Sequence, residues 1–204
     1  MSKSAQTLFF CCNSRLFSAL RAVSIYSYLL SLLLNMKTSH AIGELARNQT
    51  VFSVLLNGIS EDEYLWKWQK DKWCLLEIVC HLYDEERDDF RARTKSVLTD
   101  PLKPLPPFDP IACVTERKYI KQNYYQMLNK FLMERNDSVE WLESLQNPSW
   151  RNAYNHPKAG PVSASFLLNN WLAHDYLHIR QIIKLRYLYS QGISGESLDY
   201  AGEW

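Results

Sequence analysis

Near its C-terminus the chain reads Leu167-Leu-Asn-Asn-Trp171-Leu-Ala-His174-Asp-Tyr-Leu-His178-Ile-Arg-Gln-Ile182-Ile-Lys-Leu185. Large apolar residues and two histidines recur here at steps of three and four, which predicts an amphipathic helix with this stripe turned towards a core. His174 and His178 lie one turn apart on the stripe, so their imidazoles can share one ligand. Burying them without partners would cost roughly 1–3 kcal/mol each. The spacing therefore indicates a metal site.

A third histidine occurs in Trp73-Cys-Leu-Leu-Glu-Ile-Val-Cys-His81-Leu-Tyr-Asp-Glu85. A lone histidine in an apolar helix is more often a hydrogen-bonded core residue, but together with the pair on the last helix His81 completes a set of three imidazoles. Such a set with an open fourth position is typical of catalytic zinc-type sites. Glu85, one turn after His81, is a minor candidate for a fourth ligand, whereas His40 and His156 do not fit the inward pattern.

The same periodicity predicts four long helices and no convincing strand, so the expected architecture is an all-α four-helix bundle. Five prolines between residues 100 and 110 predict a Pro-rich loop between the second and third helices. The third helix could break near Asn136-Asp137, Ser163 is the expected N-cap of the fourth, and Gln191-Gly192 its expected end. The predicted helices are Ile42 to Leu56, Lys72 to Leu98, Thr115 to Leu145, and Ser163 to Tyr189.

Size and charge restrict the function classes. The 204 residues suffice for one domain with a sizeable core, and 23 basic against 22 acidic residues give a net charge of +1. This balance does not favour nucleic acid as a partner. Five cysteines without a CxxC pair favour a reducing, cytoplasmic compartment over a disulfide framework: Cys11, Cys12, Cys74, Cys80 and Cys113.

The N-terminal segment has three competing interpretations. Residues 1–43 contain no acidic residue, and a broken apolar run from Ala22 to Leu34 is too short for a confident membrane span. The segment could be an organellar transit peptide or a secretory signal. We favour Met36 as the true start, so that residues 1–35 form an extension and residues 36–204 form the bundle domain.

Charged residues near the histidines have ordinary explanations. The run Asp84-Glu-Glu-Arg-Asp-Asp89 could orient the histidines or rim a pocket, but such a run is more often a solvated helix face. Asp175 and Arg180 flank the histidine pair, and we expect them to pair at the surface.

On these two motifs the chain resembles the DinB-like family of the DinB/YfiT metalloenzyme superfamily, over about Ile42 to Gly192. The resemblance implies a four-helix bundle whose metal ligands fall on His81, His174 and His178. It also implies zinc or nickel as the metal, and a homodimer. Members of known activity include thiol S-transferases that use low-molecular-weight thiols such as bacillithiol or mycothiol, and a glutathione-dependent isomerase.

The sequence thus leaves a choice of functions. The first hypothesis is a metal-dependent thiol S-transferase acting on small electrophiles, with a small-molecule substrate and no membrane partner. Metal-dependent hydrolysis is the second. The third is a non-catalytic metal-binding or ligand-sensing bundle, which a closed shell including Glu85 would favour.

Overall fold

The structure is a computed structural model that describes residues 5–202, and for residues 5–28 and 31 it describes the backbone but not the side chains. Residues 1–4, the Cys11 and Cys12 thiols and the last two residues of the tail therefore lie outside the described residues. The chain divides into two compact units, Met1–His40 and Ala41–Trp204. The interpretation of residues 1–35 as an extension stays a prediction.

Helices make up most of the described chain. In chain order they are α1 (Ala5–Leu56), α2 (Glu61–Leu65), α3 (Leu75–Asp84), a π-helical turn (Glu85–Phe90), α4 (Arg91–Thr99), α5 (Pro110–Glu116), a 3₁₀ turn (Tyr119–Lys121), α6 (Tyr124–Ser144), α7 (Ala164–Ser194) and a second 3₁₀ turn (Asp199–Ala201). The backbone stays helical from α3 through the π-helical turn into α4. Residues 41–56 of α1, the α3 to α4 helix, α6 and α7 are the four helices of the bundle, as predicted.

Several predicted boundaries were wrong. Helix α1 begins at Ala5 rather than near Ile42, because no proline or glycine precedes Gly43. Helix α6 continues without a break through Asn136 and Asp137. Helix α7 passes Gly192 and ends at Ser194, where Gly195 takes the left-handed conformation (φ 69°) that glycine adopts without strain.

A two-stranded antiparallel hairpin was not predicted. Strands β1 (Ala153–His156) and β2 (Gly160–Ser163) pair from Ala153 with Ser163 to His156 with Gly160. The strands are too short for their alternation to stand out in the sequence. The hairpin leads directly into α7, whose first turn is capped as expected: the Ser163 hydroxyl accepts a hydrogen bond from the Phe166 N–H at 3.1 Å.

The core lies between α3 and the other long helices. Phe52 of α1 meets Phe131 of α6 edge to face, with ring centroids 5.2 Å apart. The Tyr124 hydroxyl donates to the Leu56 carbonyl at 2.8 Å, which ties the start of α6 to the end of α1. Other fully buried core residues are Leu75, Ile78, Val79, Leu82, Leu128 and Ile182. Among residues 5–202, none of the helices combines the length and apolarity needed to cross a bilayer.

Candidate metal centre

Helix α3 carries His81 in the most buried part of the fold. Every residue from Leu75 to Leu82 is buried, because the helix has packed neighbours on all sides. The Glu77 carboxylate accepts from the Cys74 N–H at 2.9 Å and fixes the first turn of the helix. The indole of Trp73 lies against the His81 imidazole, with ring centroids 4.9 Å apart. His81 therefore stands on a rigid element.

Helix α7 presents the other two imidazoles to the same point. Trp171 and Ile182 of its apolar stripe are buried, whereas His174 and His178 between them are half-buried. The ring of Phe90, at the end of the π-helical turn, stacks on Trp171 at 5.9 Å and lies 5.0 Å from His174. These aromatic contacts hold the face of α7 against the α3 to α4 helix.

The three imidazoles converge through their Nε2 atoms. The His174 Nε2 lies 3.2 Å from the His81 Nε2 and 3.1 Å from the His178 Nε2. One ring nitrogen from each residue lies within 4.8 Å of the others. Tetrahedral zinc with Zn–N bonds of 2.0–2.1 Å would separate two ligand nitrogens by about 3.3 Å. The spacing of these donors therefore fits a divalent ion.

Burial keeps the imidazoles neutral. It lowers the pKa of His81 to about 3, with the nearby His178 adding to the effect. It likewise lowers the pKa of His174 to about 2 and that of His178 to about 4, the latter partly offset by the hydrogen bond to Gln181. Neutral imidazole is the form that binds a metal, so the site offers lone pairs at neutral pH.

Hydrogen bonding alone does not satisfy the cluster. The Gln181 carbonyl oxygen lies 2.8 Å from the His178 Nδ1, so Nδ1 carries the proton and Nε2 keeps its lone pair. A single proton on the His174 Nε2 cannot point at both neighbouring Nε2 atoms at once. A cation at the centre would satisfy all three lone pairs, and Gln181 would orient His178 as a second layer of a metal site does.

Glu85 lies beside His81 but on the other side of its ring. Its carboxylate is 3.8 Å from the His81 Nδ1, which has no hydrogen-bond partner among the described residues. Burial, reinforced by the Asp89 carboxylate, raises the pKa of Glu85. In the part of the chain that the structure describes, the group of potential ligand atoms contains the three histidines and no carboxylate.

The expected surface pair of Asp175 and Arg180 is wrong. Asp175 is fully buried, and both of its oxygens accept from the buried guanidinium of Arg135 at 2.6 and 2.7 Å. Arg135 also binds both oxygens of Glu86, at 2.8 and 2.9 Å. The expectation failed because the partner comes from α6, 40 residues away in sequence.

The acidic run from Asp84 to Asp89 is likewise not a solvated face. Asp84, Glu85, Glu86 and Asp89 are all buried. Each has a separate neighbour: the Tyr119 hydroxyl donates to Asp84 at 2.5 Å, and Arg93 pairs with Asp89 at 2.6 Å. The π-helical turn widens the helix here, and such turns occur frequently at functional sites.

The other two histidines are not among the potential ligand atoms grouped in the described residues. His40 is exposed, and the His156 Nδ1 accepts backbone hydrogen bonds from Lys158 and Ala159 in the hairpin turn. Gln181 and Arg135 were not predicted from the sequence to belong to the site or to its supporting contacts. Gln181 had a local signal, since it lies three residues after His178 and so on the same face, whereas Arg135 had none.

The chain matches a protein-family profile and is similar to a solved structure. A sequence profile of the DinB superfamily matches residues 44–182. Among solved structures the chain is similar to YfiT from Bacillus subtilis, described as "a probable metal-dependent hydrolase with an unusual four-helix bundle topology", with a TM-score of 0.66 and 16% identity over 77% of this chain and 87% of that one. Among curated proteins none matches the sequence significantly. At this identity the structural likeness establishes the fold alone.

Proposed function

The chain belongs to the DinB superfamily, and from that premise we propose that it is a metal-dependent enzyme whose divalent ion is held by His81, His174 and His178. One observation carries the proposal: three neutral imidazoles point their Nε2 atoms at a common centre, 3.1–3.2 Å apart along the cluster. The likeness to a four-helix bundle described as metal-dependent supports it. Zinc or nickel is the proposed metal.

The three protein ligands leave room for a further one. In the described residues no carboxylate or thiolate joins the imidazoles, which favours an open, catalytic site over a closed, structural one. A bound divalent ion would act as a Lewis acid and lower the pKa of a water or thiol, supplying a nucleophile at neutral pH. The protein fixes the imidazoles through Gln181, Trp73 and Phe90.

The nucleophile is not one of the described cysteines. Burial raises the pKa of Cys74 to about 11 and that of Cys80 to about 12, so both stay as inert thiols. Cys113 is also buried, and burial raises the pKa of its thiol too. We therefore propose that Cys74, Cys80 and Cys113 do not supply the nucleophile, and that a water molecule or a low-molecular-weight thiol from solution does.

Thiol S-transfer to a small electrophile is our first choice of reaction, because the two histidine motifs resemble those of the DinB-like family, whose members of known activity include thiol S-transferases. Hydrolysis is the second, supported by the description of YfiT. A non-catalytic, ligand-sensing bundle remains a third candidate. We also propose that the protein is cytoplasmic and forms a homodimer. The free thiols of Cys74, Cys80 and Cys113 support a reducing compartment. Light scattering would test the homodimer.

Metal content tests the site directly. Protein purified without added metal is analysed for bound elements beside His174→Ala and the control His40→Ala, which changes an exposed histidine. We expect near-stoichiometric zinc or nickel in the wild type and the control, and less than a tenth of it in His174→Ala. Equal, trace metal in all three proteins would refute the proposal.

Two assays then separate the reactions. The metal-loaded protein is mixed with a chromogenic electrophile and a panel of thiols, and separately with chromogenic esters and amides. A metal-dependent rate that requires a thiol supports transfer, and one that occurs in water alone supports hydrolysis. If neither assay shows a rate that His174→Ala abolishes, the non-catalytic bundle is favoured.

A further inference from the structure

A small cavity adjoins the histidine cluster. It measures about 200 Å³ and lies between the loop that follows α2 and the second half of α7. The loop contributes Trp68, Lys72 and Trp73, and the helix contributes Gln181, Lys184, Leu185 and Leu188. The loop is anchored by Trp66, whose ring meets that of Tyr189 at 5.6 Å, and by Lys67, which pairs with Glu77 at 2.6 Å. The cavity is therefore part of the folded structure.

Two wall residues contact the proposed ligands. Trp73 lies against the His81 ring, and Gln181 holds the Nδ1 of His178. An occupant of the cavity is thus separated from the imidazoles by one layer of side chains. Because Gln181 binds the Nδ1 edge of His178, this wall of the cavity lies on the side of that ring away from the Nε2 cluster. The cavity is therefore a separate site beside the histidines.

The wall chemistry favours an anion with an apolar body. Two indoles and two leucines provide apolar contact, and Lys72 and Lys184 stand exposed at the rim. Lys72 pairs with the exposed Asp71 at 3.1 Å. For Lys184 no carboxylate lies within ion-pair distance among the described residues, and its Nζ lies 5.9 Å from the Trp68 ring centroid. The positive charge of Lys184 is uncompensated.

A second cavity of similar size provides a contrast. It measures about 220 Å³, and its Arg117 is bound by Asp84 and Asp88 at 2.5 and 2.8 Å. Arg87 is likewise bound by Asp88. Both arginines of that cavity are therefore paired with carboxylates, and Asp84 is one of its lining residues. No acidic residue lines the cavity beside the histidines.

We infer that the cavity lined by Trp68, Trp73 and Lys184 binds a small organic anion, an aromatic carboxylate or phosphate ester. A volume of about 200 Å³ is below the 300–1,000 Å³ of most ligand pockets, so the occupant is a small molecule rather than a peptide. The anionic group faces the lysines and the ring lies between the indoles.

Calorimetry on the full chain tests this inference with benzoate, phenyl phosphate and the neutral benzamide. We expect one or both anions to bind more tightly than benzamide, and the better anion identifies the headgroup. Lys184→Gln should weaken anion binding about fivefold, since an ion pair at 4 Å in water is worth about 1 kcal/mol. Lys184→Gln should leave the affinity for benzamide unchanged. The matched control Lys130→Gln, a lysine of the second cavity, should change neither.

The outcomes separate the two proposals. Binding is measured with zinc-loaded and chelator-treated protein, beside metal content. Lysine-dependent anion binding by a protein that holds no metal would overturn the proposed function but leave the anion site standing. Stoichiometric metal with no anion binding, or with binding that Lys130→Gln weakens and Lys184→Gln does not, would overturn the anion site alone.

Discussion

Arg135→Met is expected to destabilise the bundle more than any surface substitution. Arg135 is 1% exposed and binds Glu86 and Asp175, which are 2% and 0% exposed. The remaining hydrogen bonds of these carboxylates come from Trp171 Nε1 to Glu86 at 2.9 Å and from Asn48 to Asp175 at 3.1 Å. Neither carries a charge. The guanidinium is therefore the sole cation that binds these two carboxylates within the described residues.

The magnitude follows from the burial of both pairs. Removing one partner of a buried ion pair costs about 3–5 kcal/mol, because an uncompensated charge is left in the interior. Arg135→Met leaves two such charges, so we expect a loss of at least 3–5 kcal/mol. The total free energy of unfolding of a native protein is about 5–15 kcal/mol, so the variant should be close to unfolding.

The matched control is Arg91→Met. Arg91 of α4 pairs with Glu134 of α6, but both side chains are about one-fifth exposed (21% and 20%), and such pairs contribute about 1 kcal/mol or less. Urea unfolding of metal-free protein, followed by far-UV circular dichroism, gives both free energies. The triple variant Arg135→Met, Glu86→Gln, Asp175→Asn should recover part of the loss. Equal losses for Arg135→Met and Arg91→Met would refute the reasoning.

Three further predictions concern the site and the core. Gln181→Leu should weaken zinc affinity about 10–100-fold in a competition titration, because the Nδ1 proton of His178 loses its acceptor, while Gln146→Leu should not. The metal-free protein should lose stability as the pH falls from about 6.5 towards 4, because the histidines take up protons when unfolded but, with their lowered pKa values, not when folded. Each histidine contributes at most about 1.4 kcal/mol per pH unit. In urea titrations at several pH values, His174→Ala should reduce this pH dependence. Tyr124→Phe should lower the free energy of unfolding by about 1 kcal/mol, because it removes the buried hydrogen bond to the Leu56 carbonyl. Tyr125→Phe, which removes the half-exposed hydrogen bond to the Ile59 carbonyl, should lower it less. Equal losses in thermal or urea unfolding would count against burial as the cause.

The bundle and the convergence of the three histidines could be predicted from the sequence. Both depend on local periodicity: the stripe from Leu167 to Leu185 specifies which face of α7 is buried, and the apolar run around His81 specifies that α3 is surrounded. The histidines lie on those faces, so packing the helices brings their rings together. Helix ends were less predictable. Gly192 stays helical within α7, and of the two glycines near the end of this helix only Gly195 has a positive φ.

Long-range pairing was not predictable. Asp175 and Arg180 are close in sequence, but on a helix five residues separate side chains by more than one full turn. The actual partner, Arg135, comes from another helix. No local pattern marks an arginine of α6 as buried, since neighbouring charged residues such as Glu134 are partly exposed. The burial of Arg135 depends on two carboxylates that only the tertiary fold supplies.

The π-helical turn explains how one acidic run can have several roles. Glu85 faces the His81 ring, while Glu86 reaches Arg135 and Trp171 on α6 and α7. Trp171 is one turn before His174, and Asp175 directly follows His174. The Arg135 network therefore holds α7 on both sides of that histidine. A rotation of α7 that moved His174 out of the cluster would break charged bonds in the interior. The buried network thus specifies the orientation of the helix that presents two of the three imidazoles, and metal affinity should fall whenever that network is broken.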